Sequence, residues 1–270
     1  MGEPVDWLDD GTARSPRFKD RYSTCTGGLA QALTVFVGGC GLPARWQGRN
    51  AFTILETGFG FGLNFLTAWA VWERDPRRCD ALHFVSVEAY PVAVADLVRN
   101  TMATAHVADN FNNDIDLLSR VQSLAHELAA VWCDLGAGSH DFSFAQGRVR
   151  LTLVVGDVLP ALQSNHCEAD AVFLDGFSPS VNPDMWSRST LQAVTAHVRG
   201  GSTLASYTIA RTVRDALQEL GYTVRKVKGL PPKRDRLEAV YASDGNCNCA
   251  AHSRKANDCD LVASCSNSPA

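Results

Sequence analysis

Ala51-Phe52-Thr53-Ile54-Leu55-Glu56-Thr57-Gly58-Phe59-Gly60-Phe61-Gly62 is the stretch that decides the fold of this chain. Its first five residues, closed by a glycine-rich turn, read as a short buried strand. Gly58, Gly60 and Gly62 follow, and Leu63–Glu73 carries the apolar spacing of a helix. Strand, glycine loop and helix together open a nucleotide-binding α/β sheet, because glycines remove the Cβ atoms that would keep a ligand off the turn. The spacing excludes a dinucleotide fingerprint, which needs G-x-G-x-x-G; the sixth position from Gly58 is Leu63. A P-loop is excluded too, since no Lys with Ser or Thr follows the glycines.

Downstream, strands and helices alternate. Leu82–Val87 is a strand ending on Glu88, and a helix begins near Pro91. Residues 101–146 interrupt the rhythm. Leu117, Val121, Leu124, Leu128 and Val131 repeat at three and four, so this insert is expected to be mostly helical. Val149–Val155 and Ala171–Leu174 are strands, the second followed by a helix from about Met185 to His197. A turn is expected at Arg199-Gly200-Gly201, then a strand at Thr203–Tyr207 and a helix at Thr212–Leu220. Thr223–Val227 and Leu237–Tyr241 have no helix between them and suggest an antiparallel edge hairpin. Ahead of the sheet, Leu29, Ala32, Leu33, Phe36 and Val37 lie on one helical face. The expected fold is α/β: a doubly wound, mostly parallel seven-stranded sheet with an N-terminal helical extension and a helical insert. Residues 1–242 form this domain; residues 243–270, rich in Ser, Asn and Cys, are expected to be a disordered tail.

Open α/β sheets bind ligands at the carboxyl ends of their strands, and three acidic groups stand there. Glu56 ends the first strand and can accept a hydrogen bond from a cationic amino group. Glu88 ends the second, where a carboxylate can take both ribose hydroxyls or stand as a solvated surface group. Asp157, after Gly156, can accept an adenine amino group, cap the helix at Val158–Gln163, or do both. With the glycine loop they fit a nucleoside that carries a ribose, an adenine and an amino acid, namely S-adenosyl-L-methionine (AdoMet).

After the fourth strand come Asp175-Gly176-Phe177-Ser178-Pro179 and Asn182-Pro183-Asp184-Met185-Trp186. A carboxylate followed by a proline and rings suits an amine on a planar base: Asp175 orients the nucleophile, and the rings stack. On this reading Phe177, Pro179, Trp186 and Tyr207 face the substrate, while Asp184 is the acidic first turn of a helix. Methyl transfer is an in-line displacement, so alignment supplies most of the catalysis.

Phe173–Pro179 and Asn182–Trp186 closely resemble the signature of the methyltransferase part of the MnmC family and its stand-alone MnmD-type relatives. Glu56–Leu66, which includes Asn64, resembles the same family's cofactor loop, and the similarity runs from about Pro4 to Ala242. The resemblance implies AdoMet-dependent methylation of the exocyclic amine of 5-aminomethyl-(2-thio)uridine at the tRNA wobble position, with Asn64 joining the cofactor set. Fused members carry an FAD-dependent oxidase domain. No second glycine-rich βαβ unit is read here, so no FAD is expected and the amine is expected from a separate enzyme. Thr208-Ile209-Ala210-Arg211 and Lys228–Asp235 depart from the family pattern, both where substrate would be held.

The formal net charge is −4, so nucleic acid would have to be met by a local patch. Arg225, Lys226, Lys228, Lys233, Arg234 and Arg236 form the one concentrated basic stretch, which Arg211 and Arg214 could extend. It reads either as phosphate contacts for a tRNA anticodon stem-loop or as a solvated hairpin. No apolar run reaches the roughly 18 residues of a membrane span, and no leader is read, so a cytoplasmic location without membrane contact is expected. Cys247, Cys249, His252, Cys259 and Cys265 lack zinc-ligand spacing, and no metal is expected. A small-molecule amine methyltransferase and a non-catalytic RNA-binding relative are the competing readings.

Overall fold

A computed structural model describes residues 2–24, 27–103, 114–133, 135–231 and 234–242. The expected tail, its cysteines and Lys233 lie outside them. The chain opens with an antiparallel ribbon, β1 (Asp6–Trp7) and β2 (Ala13–Arg14). Helix α1 (Gly28–Gln31) runs on into a π-helical stretch, Ala32–Val37. Then come β3 (Ala51–Glu56), α2 (Leu63–Arg74), β4 (Ala81–Glu88), α3 (Val94–Ala103) and α4 (Ile115–Ala129). They are followed by β5 (Gly138–Phe144), β6 (Val149–Val155), α5 (Val158–Ser164) and β7 (Ala169–Phe173). A 3-10 turn at Pro183–Trp186 precedes α6 (Arg188–Thr195), β8 (Val198–Ser206), α7 (Arg211–Glu219), β9 (Tyr222–Lys228) and β10 (Asp235–Tyr241).

One sheet in the order β5-β6-β4-β3-β7-β8-β10-β9 organises the domain. Its five central strands are parallel, and β5 and β10 join antiparallel on either side. Strand residues alternate between two cores, as a pleat covered on both faces requires. Phe52, Ile54, Phe84, Leu151 and Phe173 face α2, α4 and the π-helical stretch. Leu55, Val85, Val154, Val172 and Leu204 face α5, α6 and α7.

The expected fold class holds, with differences in detail. The sheet has eight strands, not seven, because the insert contributes β5 as well as α4. The strand is hard to read in Gly138–Phe144 because only Phe144 is buried, leaving a polar edge with little apolar alternation. Arg199-Gly200-Gly201 lies inside β8, not in a turn before it. Ala169 opposes Val198 while Ala171 opposes Thr203, so the extra residues bulge out; the Ser202 hydroxyl closes the bulge by donating to the Ala169 carbonyl (2.7 Å). The helix expected over 185–197 is broken at Ser187, whose side chain accepts from the Thr190 amide and starts α6 afresh. The N-terminal extension is part ribbon and part helix.

At the amino end of the sheet, Asp170 ties β7 to β3. Its carboxylate accepts from the Thr53 amide (2.9 Å) and pairs with Arg49 and Arg199. Asp170 is buried, whereas both guanidiniums reach solvent and can turn to water if it is removed. Asp170→Ala should therefore destabilise the fold chiefly through the orphaned Thr53 amide, by about 2 kcal/mol. The urea midpoint of the variant against wild type checks this.

Candidate active site

At the opposite, carboxyl end the strands open into a cavity of about 1200 Å³. The first loop is shaped by Gly62, which takes φ +70° at the start of α2; a Cβ there would meet the Phe59 ring at 2.6 Å. Phe59, itself on the cavity lining, in turn stacks on Trp132 just after α4 (5.3 Å), so the insert braces the loop.

Glu88 lines the cavity with both oxygens engaged: Gly60 and Tyr90 each donate a backbone amide to it at 2.8 Å. Burial pushes the carboxyl of Glu88 above its ordinary range, against those two amides and that of Ala89, and a carboxylate's roughly four lone-pair sites leave room for a ligand hydroxyl. Asp157 occupies the N-cap position of α5 yet makes no side-chain capping bond; its exposed carboxylate lies on the lining instead. Asp175, after β7, also lines the cavity. It accepts from Asn64 (2.8 Å) and from the Gly176 amide (2.8 Å), while its backbone is clasped by the Thr57 hydroxyl. Phe177 and Tyr207 lie on the lining too, and the Tyr207 hydroxyl donates to the Gly176 carbonyl (2.6 Å).

Several expected site residues stand elsewhere. Glu56 is fully buried beneath the loop and is not on the lining. It accepts from Asn64 (2.8 Å) and from the Ser86 hydroxyl (2.6 Å). A strand-end residue whose side chain points into the pleat cannot reach the ligand, so Glu56 acts on the cavity through Asn64. Trp186 is buried and donates to the Phe177 carbonyl (2.8 Å), which makes it a support for the loop after β7 and not a stacking surface. Pro179 is off the lining.

The basic hairpin is partly paired. Arg225 and Arg236 share Glu238 (2.9 and 2.7 Å), Lys226 meets Asp235 (3.6 Å), and Arg236 is mostly buried, so it is not an open phosphate contact. Arg211 is exposed beside Asp215. Lys228 and Arg234 are exposed at the β9–β10 turn. Since β10 runs antiparallel to β8, that turn and the start of α7 lie at the same end of the sheet as the cavity.

Sequence reading missed the cavity's roof. Phe18, Asp20 and Tyr22, from the segment after β2, lie on the lining. Tyr22 packs on Phe61 (4.5 Å) and Phe177 (5.0 Å), Phe18 stacks on Phe177 (4.6 Å), and the Asp20 carboxylate accepts from the Ser178 amide (3.0 Å). The ring–acid–ring run Phe18-x-Asp20-x-Tyr22 was the available signal. Among the described residues the lining carries six carboxylates (Asp10, Asp20, Glu88, Asp157, Asp175 and Asp184) against one guanidinium, Arg21, which is taken by Asp10 at 2.7 Å. Such a cavity draws cations.

Residues 119–242 match the S-adenosyl-L-methionine-dependent methyltransferase family. The chain is 51% identical over 241 residues to the "tRNA 5-methylaminomethyl-2-thiouridine biosynthesis bifunctional protein MnmC" of Delftia acidovorans, covering 89% of this chain and 35% of that protein. It is 50% identical to the MnmC of Acidovorax sp. strain JS42, covering 90% of this chain and 36% of the relative. It thus spans about a third of the length of these relatives. Its fold is that of MNMC2 from Aquifex aeolicus, with a TM-score of 0.65 and 21% identity over 90% of this chain and 72% of the other.

Burial raises the Glu56 carboxyl well above its ordinary 4.5. A carboxyl that binds its proton more tightly when folded loses stability for the fold as pH climbs from the unfolded value toward the folded one. The denaturation midpoint should accordingly fall over the pH range above 4.5, and Glu56→Gln should flatten that fall. Glu88, shifted the same way, leaves a residual slope. Urea midpoints across this range, variant against wild type, measure the difference.

Proposed function

We propose that this chain, which matches the S-adenosyl-L-methionine-dependent methyltransferase family over residues 119–242 and is similar to about a third of the length of its MnmC relatives, methylates the exocyclic amine of 5-aminomethyl-(2-thio)uridine at the wobble position of tRNA, giving the 5-methylaminomethyl base. The observation that carries this reading is the convergence of Glu88, Asp157 and Asp175, from three strand ends, on one cation-attracting cavity. AdoMet carries both a sulfonium and an ammonium, which that lining suits. Glu88 would take the ribose hydroxyls and Asp157 the adenine amine, with Asn64 and the glycine loop holding the amino-acid end.

When bound, AdoMet supplies an electrophilic methyl group. The chain's own groups do the rest. Asp175, fixed by Asn64 and the Gly176 amide, orients the acceptor nitrogen. The amine's lone pair forms the new N–C bond as the C–S bond breaks, its electron pair staying on sulfur, and the extra proton leaves to solvent. Asp175 needs no unusual basicity for this, because alignment is the main contribution. Phe177 and Tyr207 would border the acceptor's position beneath the roof. Beyond the cavity, Arg211, Lys228 and Arg234 offer phosphate contacts at the same end of the sheet, with Lys233 expected to join them. The acidic interior repels phosphates, so only the base would enter. A second reading, methylation of a small-molecule amine, draws on the ion pairs that engage part of the hairpin.

Labelled AdoMet with tRNA bearing the aminomethyl base should yield methylated nucleoside. Transfer to small amines alone, with tRNA inert, would overturn the tRNA reading. Asp175→Ala should lower kcat by about 100-fold or more, and Glu88→Ala should weaken AdoMet binding roughly 10- to 100-fold. Lys228→Glu with Arg234→Glu should instead weaken tRNA binding and its salt dependence while AdoMet affinity, measured by calorimetry, stays unchanged.

A further inference from the structure

The roof contains an acid that the strand-end logic does not account for. The loop carrying it is tightly closed. The Ser15 amide donates to the Asp20 carbonyl (2.9 Å), the Lys19 amide to the Ser15 carbonyl (2.8 Å), and the Phe18 amide to the Ser15 hydroxyl (3.2 Å). Lys19 is held at φ +54°, a backbone region that costs a non-glycine residue about 1 kcal/mol or more. That strain turns the exposed Lys19 and the inward Asp20 to different sides. Asp20 then spans the gap to the acceptor loop, where one oxygen accepts from the Ser178 amide and the other from the Arg21 amide (2.9 Å). Each oxygen keeps a lone pair. Asp175 stands across the same loop, and both carboxylates act on the Tyr207 hydroxyl, whose ionisation they oppose together with its burial.

We propose that Asp20 is an acceptor-binding residue: with Asp175 it forms a two-carboxylate clasp that receives the substrate amine as its ammonium ion. The inference rests on the amine-methylation reading and sharpens it. A primary alkylamine is protonated near neutral pH, and a site that admits it must first take the cation. Phe18 stacked on Phe177 would wall the base, while Asp20 and Asp175 reach the nitrogen from two sides. Before transfer the ammonium sheds one proton to solvent; its lone pair then accepts the methyl carbon. The clasp therefore trades tight capture of the cation against a higher pH for release of that proton. The other charged groups on the lining are Asp10, Glu88, Asp157 and Asp184, all acting in the same direction, beside the phenols of Tyr22, Tyr90 and Tyr207. The guanidinium of Arg21 is tied to Asp10, and that of Arg17 sits over the Tyr90 ring (4.1 Å) and pairs with Glu3.

Asp20→Asn separates charge from scaffolding, since its amide oxygen can still accept from Ser178. Three measurements on full-length protein decide the matter: AdoMet affinity, KM for aminomethyl-bearing tRNA, and the pH profile of kcat. Wild type should prefer tRNA with the aminomethyl base over the same tRNA without it. In Asp20→Asn, AdoMet affinity should be unchanged, KM should rise roughly 10-fold, and the rising limb of kcat should move to lower pH by about one unit, because a lost negative neighbour lowers the amine's pKa. Asp20→Glu should restore part of the KM. An unmoved kcat limb in Asp20→Asn, with wild type methylating the tRNA, would overturn the clasp while leaving the function standing. Failure of wild type to methylate any amine would overturn both.

Discussion

The side-chain amide of Asn64 gives hydrogen bonds to two carboxylates at once, Glu56 at the end of β3 and Asp175 at the end of β7, each at 2.8 Å. Neighbouring parallel strands end there, and two acids so close would repel each other if nothing stood between them. One NH2 group satisfies both, and the Ser86 hydroxyl on β4 completes the shell around Glu56. Three strands and α2 are thereby pinned at the point where the glycine loop must stay open. The positions of Asp175, Thr57 and the loop after β7 all follow from this bridge. An aspartate at position 64 could not make it, since it would add a third acceptor where two donor protons are needed.

Much of this was legible in the sequence, and the reasons are physical. β7 is buried along its whole length, so its apolar run stands out, and Asp175 beyond it is conspicuous as the first polar side chain after the barrier. Glu88 and Asp157 are similarly marked by the strands before them. Glu56 misled because a strand end exposes one face of the pleat and hides the other; with no count of residues beyond the last ladder bond, the two look alike. Trp186 misled because a ring next to an acceptor motif serves equally well as its buttress. Arg236 looked basic in isolation, but Glu238, two residues on and on the same face, cancels it. The roof was harder to read for another reason. Phe18, Asp20 and Tyr22 alternate with the period of a strand but belong to none of the strands, and their partners Phe61 and Phe177 lie far along the chain.

The distribution of charge sorts what can approach the molecule and where. Acids crowd the cavity, and exposed bases stand outside it at the same end of the sheet. A polyanion carrying one cationic group would meet the bases with its backbone and the acids with that group, so the proposed substrate's own charge pattern would fix its orientation. The hairpin's internal ion pairs limit this attraction to a few residues, which favours recognition at one end of the sheet over general adhesion to nucleic acid.

The bond between Asp20 and Ser178 joins residues 158 positions apart. A contact of that span is entropically among the last to close as the chain folds. It does not stand alone: Trp7 donates to Asp96 (2.8 Å) and packs on Phe61, and Tyr22 packs on Phe61 and Phe177, so the segment is seated on several partners at once. The site is a vessel whose walls come from strand ends and whose ceiling exists only once the beginning of the chain has met its later half.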